Sequence, residues 1–178
     1  MKGRNGMLLL DALIGLLLLS SLAAALFPLL GQGVYILDET AKRGRLVGEG
    51  LYAMDFMGEQ VRNNLDTGQM DFLSSNRYTY KTYDERNRIS PYTLYIDKEK
   101  LYIQLYTGRT EPVTGESSGK VEAFAFQTQE GKSLFTRQGT GPLHMAFQLF
   151  HQMSGNRWEG ETSMIPYADY YRKGNVYE

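Results

Sequence analysis

The chain has 178 residues, of which 42% are hydrophobic and 22% are charged, and its net charge at pH 7 is −1. These values are typical of one modest globular domain with an additional segment, and the near-neutral charge favours neither nucleic acid nor an anionic surface. The chain contains no cysteine, which excludes disulfides, thiol nucleophiles and cysteine-based zinc sites. Its 13 tyrosines favour β structure in the polar part of the chain.

The N-terminal segment joins a short basic leader to a long apolar run. Residues 1–6 read MKGRNG, and residues 7–30 read MLLLDALIGLLLLSSLAAALFPLL. As a helix, these 24 residues would extend about 36 Å, which is enough to cross a bilayer core of about 30 Å. Because Lys2 and Arg4 precede the run, we expect the N-terminus in the cytoplasm and the rest of the chain outside.

Asp11 is the exceptional residue of this apolar run. An aspartate near the middle of a membrane helix costs about 2.5–3.5 kcal/mol on insertion scales, and less near an end. No lysine or arginine lies between Met7 and Thr40 to compensate it. Two other interpretations stay open, a secretory signal cleaved near Ala23 and Ala25 and a plain signal anchor, but neither explains the acid.

The N-terminal residues carry a family resemblance. Gly6 followed by MLLLDALIGLLLL resembles the type IV prepilin signal, with an acid, Asp11, at the fifth position when Met7 is counted as the first. The resemblance implies cleavage after Gly6 by prepilin peptidase, N-methylation of Met7 and a helix kink at Pro28. It also implies that Asp11 neutralises the Met7 amine of an adjacent subunit. The family favours Phe and Glu where this chain has Met7 and Asp11.

The family likeness also implies partners and a location. The expected partners are other pilin or pseudopilin subunits, prepilin peptidase, an inner-membrane assembly platform and membrane lipid. The expected location is the bacterial inner membrane as a single-pass protein, and then a cell-envelope filament. Ala53–Leu65 (AMDFMGEQVRNNL) and the later runs VEAFAF and GPLHMAFQLF loosely resemble J-class minor pseudopilins of type II secretion and the F-type competence pseudopilin.

A second helical stretch is predicted from Val34 to about Leu65. Its apolar positions fall near heptad spacing, which predicts a stripe that packs on the following domain. Four glycines weaken this helix and could also allow close helix approach. The expected stripe is Val47, Leu51, Met54, Val61 and Leu65, the glycines are 44, 48, 50 and 58, and the end is marked by Asn63, Asn64, Asp66 and Gly68.

From Phe72 the hydrophobic period changes to two, which predicts strands. We expect a strand at Tyr78–Tyr83, a chain break at Pro91, and a hairpin of Tyr92–Ile96 and Leu101–Tyr106 around a four-residue polar loop. Further predicted segments are a loop over 108–120, strands over 121–126, 133–137 and 143–149, turns at 130–132 and 139–142, and a weakly ordered tail over 154–178 with Trp158 held against the head.

These elements predict an α+β fold, a long helical spine packed on a small antiparallel β-sheet head. The predicted organisation is a leader (1–6), a transmembrane helix (7–30), the soluble part of the spine (31–66) and a β-rich head with a polar tail (67–178). The expected function is a structural minor pilin or pseudopilin of a type II secretion, competence or type IV pilus filament, near its tip or initiation complex. The alternative is a signal-anchored envelope protein whose head binds a ligand or is an enzyme.

No catalytic, cofactor or metal site is predicted. His144 and His151 should point to opposite faces of one strand, and surface exposure is expected for both. The run Gly115–Val121 lacks phosphate-loop spacing and predicts a flexible loop, while Asp97 and Glu99 predict a solvated turn. Basic residues are interleaved with tyrosines over 72–110, a pattern that can bind single-stranded nucleic acid, so contact with DNA stays an open alternative.

Overall fold

The computed structural model describes residues 3–65, 72–114, 124–152 and 154–174. The chain divides into two compact units, residues 1–43 and residues 44–178, and the long N-terminal helix contributes to both. The long helix followed by antiparallel sheets confirms the expected α+β fold class. The elements are α1 (Gly3–Arg62), β1 (Phe72–Ser75), β2 (Arg77–Tyr83), β3 (Ile89–Asp97), β4 (Lys100–Gln104), β5 (Thr110–Pro112), β6 (Phe124–Thr128), β7 (Phe135–Gln138), β8 (Leu143–His151), β9 (Arg157–Met164) and α2 (Tyr167–Gly174).

Helix α1 contains both predicted helical stretches. Pro28 lies inside it, where the missing N–H deprives the Ala24 carbonyl of its usual helical donor. The helix ends at Arg62, immediately before Asn63 and Asn64, as the polar residues there predict. The other two residues expected to mark this end, Asp66 and Gly68, lie outside the described residues.

Two antiparallel sheets make up the second unit together with the helices. In the first sheet the order is β1-β7-β8-β6, and β9 pairs with β8 along most of its length. In the second sheet the order is β2-β3-β4-β5. The predicted strand over 143–149 is confirmed as β8, which lies at the centre of the first sheet, and its inward residues from Leu143 to Leu149 are large and apolar.

The predicted hairpin between β3 and β4 is confirmed, but its turn is shorter than expected. Asp97 pairs with Lys100, so only Lys98 and Glu99 form the turn. Their φ values are 46° and 61°, the positive values that a two-residue type I′ turn requires. The backbone carbonyl of Glu99 accepts a hydrogen bond from the Phe126 N–H at 2.7 Å. The turn therefore joins the two sheets.

The expected chain break at Pro91 is wrong. Pro91 lies inside β3, opposite Lys81 of β2. Strand β4 pairs with β3 only from Thr93 onward. At Pro91 strand β3 therefore has a neighbouring strand on only one side within the described structure. Proline is tolerated there because no second strand has to accept a hydrogen bond from the N–H that proline lacks.

The expected disorder of the C-terminal region is also wrong. Residues 157–164 form β9, and residues 167–174 form α2. The loop expected over 108–120 likewise contains a short strand, β5. Trp158 packs against the core, which confirms its predicted contact with the head. Residues 115–123, which include part of the predicted loop and the start of the predicted strand at 121, lie outside the described residues.

The core lies between the second part of α1 and the inner faces of both sheets. Its α1 residues are Leu46, Ala53, Met57 and Val61. The predicted stripe is therefore correct at Val61 and at Met54, which is partly buried against the core, but wrong at Val47 and Leu51, which are 39% and 46% exposed. The largest fully buried side chains from the sheets are Tyr78, Tyr80, Leu94, Leu101, Phe126, Leu134, Phe135, Leu143, Met145 and Phe147.

Candidate functional site

The first part of helix α1 is long and apolar enough to cross a membrane. Its most apolar 18-residue window has a mean hydropathy of 2.4, and none of that window is buried. An exposed apolar surface of this extent is unfavourable in water and favourable in lipid. This helix is therefore a candidate membrane anchor near the N-terminus.

Three polar side chains lie within the apolar run over 7–30. The Ser20 hydroxyl donates to the Leu17 carbonyl at 2.9 Å, and the Ser21 hydroxyl donates to the Leu18 carbonyl at 2.8 Å. Both hydroxyls are thereby satisfied by their own helix, as a membrane environment requires. Asp11 is exposed and makes no hydrogen bond or ion pair within the described residues. An ionisable residue in an apolar membrane helix is costly unless it is paired, so Asp11 is a candidate contact residue.

The other residues predicted for this segment share the same helix. Gly6 and Met7 lie in the early turns of α1, and Asp11 follows Met7 by four residues, which places the two positions on one helix face. Pro28 lies well beyond them in the same helix. Cleavage after Gly6, methylation of Met7, the amine contact of Asp11 and the kink at Pro28 stay predictions.

In the second unit, two glycines allow α1 to approach β9 closely. A Cβ atom at Gly50 would lie 2.3 Å from Cε3 of Trp158, and one at Gly58 would lie 2.2 Å from Cε of Met164. A Cβ atom at Gly44 or Gly48 would meet nothing within 4 Å. Two of the four glycines thus serve helix–sheet packing. Sequence reasoning considered close approach only between helices.

Asn64 connects the end of α1 to the sheets. Its side-chain amide donates to the Tyr78 hydroxyl at 2.9 Å, and its side-chain carbonyl accepts from the Lys81 N–H at 3.1 Å. Its backbone carbonyl accepts from the Ala168 N–H of α2 at 3.3 Å. Asn64 is 4% exposed. Sequence reasoning identified it only as a helix-end signal.

Tyr80 forms a second polar contact between α1 and β2. Its hydroxyl donates to Oε1 of Gln60 at 2.6 Å. Burial raises the pKa of this hydroxyl well above its ordinary value, and the neighbouring Tyr92 and Tyr78 raise it further. The phenol therefore stays protonated, and stays a donor to Gln60, under ordinary conditions.

A buried ion pair holds α2 against the first sheet. Arg137 of β7 donates to Asp169 of α2, and the two side chains are 6% and 7% exposed. Arg137 also donates through Nε to the Gly141 carbonyl at 3.0 Å. The two residues are distant in the sequence, and Asp169 lies in a region expected to be a weakly ordered tail. No sequence pattern pointed to this pair.

The two histidines lie on opposite faces of β8, as predicted, and so they cannot bind one metal ion together. The expectation that both are surface residues is wrong for His151, which is fully buried. Its Nδ1 accepts from the Ser154 N–H at 3.1 Å, so Nε2 carries the proton, and Nε2 has no hydrogen-bond partner in the described structure. His144 is exposed, and its Nδ1 lies 2.7 Å from Oγ of Ser163.

His144 borders two shallow polar clefts on the outer face of the first sheet. One has a volume of about 470 Å³ and the other of about 380 Å³. Lys132 and Glu161 form an ion pair of 2.9 Å beside the larger cleft. Within the described residues no group of three or more His, Cys, Asp or Glu side chains could hold a metal ion. The larger cleft is lined by charged and hydroxyl-bearing side chains as well as by Ala146, and it was not foreseen from sequence.

Several basic residues of the tyrosine-rich sheet already have local partners. The Arg88 guanidinium lies 3.1 Å from Oδ2 of Asp84, and Arg109 lies 3.3 Å from Glu111. The hydrogen bond from the Arg88 N–H, assisted by that of Arg86 and by the Arg88 side chain, holds the pKa of the Asp84 carboxyl below its usual range despite its burial. Arg77 stacks on the Tyr95 ring at 4.8 Å. DNA contact stays a prediction.

The remaining sequence-predicted positions have simple structural settings. Glu99 accepts hydrogen bonds from Gln127 at 2.8 Å and from Gln152 at 3.2 Å, which supports a structural role in an exposed turn. Asp97 is exposed in the same hairpin, and the run over 115–121 lies outside the described residues. Comparison of the chain with protein-family models, with characterised proteins and with solved structures gave no match.

Proposed function

We propose that this chain is a minor subunit of a type IV pilin-like filament, of the pseudopilin kind found in type II secretion, competence or pilus machines. In this proposal α1 anchors the subunit in the bacterial inner membrane, with the N-terminus in the cytoplasm, and the sheets lie outside. An assembly platform then transfers the helix into a filament of related subunits. The subunit is structural and carries out no chemistry itself.

The observation that carries this proposal is the contrast among the polar side chains of the apolar run. Ser20 and Ser21 are satisfied by the backbone of their own helix, whereas Asp11 has no partner within the described residues. A plain anchor gains nothing from an unsatisfied carboxylate in lipid. A subunit that pairs this carboxylate with the Met7 amine of a neighbour gains a contact that fixes its register.

Variants at Asp11 test this function. Asp11→Ala should insert into the membrane at least as well as the natural chain, because an insertion cost of up to about 2.5–3.5 kcal/mol is removed. It should nevertheless fail to enter filaments, which is measured by shearing filaments from cells and detecting the subunit. Asp11→Glu should assemble, since it keeps the charge on the same helix face.

A matched control moves the acid without removing it. In the double variant Asp11→Ala, Ala12→Asp the carboxylate rotates by about 100° around the helix, while the polarity of the segment is unchanged. We expect insertion without assembly. Normal assembly of Asp11→Ala, or of the double variant, would contradict an assembly role for Asp11.

The cleft beside His144 favours a second candidate, an envelope protein whose anchored head binds a small polar ligand. Ser163 and His144 lie at hydrogen-bond distance there, and Lys132 and Glu161 supply both charges. The two candidates are distinguished by a strain that carries Asp11→Ala. A filament subunit loses its function in that strain, whereas an anchored binding protein keeps it.

A further inference from the structure

Strand β9 is the longest strand whose second edge has no described neighbour. It is eight residues long and pairs with β8 alone among the described strands. Such an edge presents unpaired backbone N–H and C=O groups to any extended chain that approaches it. Proteins usually protect a long edge with proline, charged side chains (lysine above all), a bulge or a short strand. The sequence of β9, RWEGETSM, contains neither proline nor lysine, and its charged residues, Arg157, Glu159 and Glu161, all lie on one face.

The direction of the β9 N–H groups follows from hydrogen bonds of β8. The Ala146 N–H donates to Leu134, just before β7, whereas the His151 N–H donates to Asn156, just before β9. Because N–H direction alternates along a strand, the odd-numbered residues of β8 face β9. Their partners in β9 are Trp158, Gly160, Thr162 and Met164. The N–H groups of Arg157, Glu159, Glu161 and Ser163 therefore point to the open edge.

One side of an added strand would meet apolar residues of α1. Gly50 and Gly58 contact Trp158 and Met164, which places that side of the helix over β9. At 100° per residue, Val47 and Leu51 lie next to Gly58 around the helix, on the side away from Gln60 and β2. Both are partly exposed. A strand added about 4.8 Å beyond β9 would lie beneath them.

The other side of an added strand would meet charge. Arg157, Glu159 and Glu161 all lie on the solvent face of β9. Lys132 pairs with Glu161, whereas Glu159 makes no ion pair or hydrogen bond in the described structure. An incoming strand is therefore favoured when it places a lysine or arginine opposite Glu159.

A second copy of β9 does not meet this requirement. Two antiparallel β9 edges bond through odd-numbered residues on both strands. In the two registers with the longest overlap, Glu159 would lie opposite Glu161, or Glu161 opposite its own copy. Like charges directly opposite each other destabilise a strand pair.

We propose that the open edge of β9 binds an extended segment of a partner protein as an additional antiparallel strand. The segment is amphipathic, with apolar side chains towards Val47 and Leu51 and a basic side chain opposite Glu159. Main-chain hydrogen bonds provide affinity in this mode of recognition, and the alternating side chains provide specificity. This proposal does not depend on the filament function.

Synthetic peptides test the proposal with the full chain in detergent. The probe is a short capped peptide that alternates valine with threonine and carries lysine at its central polar position. Binding is followed through the fluorescence of Trp158, the single tryptophan of the chain. We expect saturable binding that weakens at least tenfold when the peptide amides that would face β9 are N-methylated. Equal binding of the N-methylated and unmethylated peptides would overturn the proposal. This test changes only the peptide and leaves the protein unaltered.

Variants at Glu159 provide the matched comparison. Glu159→Pro removes an N–H that points to the open edge, leaves the β8 bonds intact, and should weaken binding at least tenfold. Glu159→Gln keeps the N–H and removes only the charge, so an effect of about two- to fivefold is expected from an exposed ion pair. Unchanged thermal unfolding of both variants shows that the fold is kept. Equal binding by Glu159→Pro, or self-association through β9 in place of peptide binding, would overturn the proposal.

Discussion

The side-chain amide of Asn64 donates a hydrogen bond to the Tyr78 hydroxyl at 2.9 Å, directly after the last turn of α1. The same side chain accepts from the backbone N–H of Lys81, and the backbone carbonyl of Asn64 accepts from the Ala168 N–H of α2. One buried asparagine thus joins the end of the first helix, the second sheet and the last helix. Asn64 lies where three elements of the described structure meet.

Replacing Asn64 should therefore destabilise the second unit. Asn64→Ala removes two side-chain hydrogen bonds, each with a net contribution of about 0.5–1.5 kcal/mol, so a loss of about 1–3 kcal/mol is expected. The measurement is urea unfolding in detergent, followed by Trp158 fluorescence. In the double variant with Tyr78→Phe the losses should be less than additive. Full additivity would contradict the Asn64–Tyr78 contact.

The glycines of α1 should separate into two classes on substitution. Gly48→Ala adds a methyl group in open space and removes the cost of glycine in a helix, so a gain of up to about 1 kcal/mol is expected. Gly50→Ala forces Cβ into the Trp158 ring and should cost about 1–3 kcal/mol. Thermal unfolding of the two variants, measured side by side, checks the sign. A stabilising Gly50→Ala would show that α1 does not approach β9 so closely.

The Arg137–Asp169 pair should fix α2. Asp169→Ala leaves a buried guanidinium without its partner, which costs about 3–5 kcal/mol. Limited proteolysis should then cleave near residues 165–170 much faster than in the natural chain. The double variant Arg137→Met, Asp169→Leu removes both charges and should recover most of the stability. If the double variant is as unstable as Asp169→Ala, an unpaired buried charge is not the cause of the lost stability.

Tyr80 should limit stability at high pH. Its pKa is raised in the folded chain above the ordinary value of 10.0, because the phenol is buried. The unfolded chain therefore loses this proton first, and the stabilisation, complete below pH 10, declines as the pH rises above that value. Tyr80→Phe cannot ionise, so its unfolding free energy should fall less steeply between neutral and strongly alkaline pH. An identical pH dependence in the two proteins would exclude this role for Tyr80.

Part of the fold follows from hydrophobic period alone. The inward residues of β8 include Leu143, Met145, Phe147 and Leu149, all of them apolar and fully buried, so their alternation predicts the strand directly. The apolar run that begins at Met7 predicts a helix with equal clarity. Both segments are dominated by large apolar side chains in a regular pattern, which sequence analysis detects.

The missed elements involve small or polar inward residues. In β9 the inward positions between Trp158 and Met164 are Gly160 and Thr162, and a Cβ atom at Gly160 would lie 2.6 Å from the Trp158 ring. A larger side chain would not fit at Gly160, so the hydrophobic alternation of the strand is interrupted. The displaced stripe of α1 has the same cause, since Gly50 and Ala53 lie inward while Leu51 stays partly exposed. Position in three dimensions, rather than side-chain size, decides burial at these sites.

The candidate sites divide in a similar way. Asp11 was identified from sequence because an acid in an apolar run is anomalous whatever surrounds it. The cleft beside His144, the Arg137–Asp169 pair and the open edge of β9 depend on contacts between residues far apart in the chain. Long-range contacts of this kind leave no local pattern.

The most direct test of the central claim is the intact mass of the mature protein, purified from the membrane of a cell that contains prepilin peptidase. A filament subunit of the proposed kind should begin at Met7, after cleavage behind Gly6, and should carry one additional methyl group on the Met7 amine. A mass that corresponds to a chain beginning at Met1, or to one beginning after Ala25, would contradict the account.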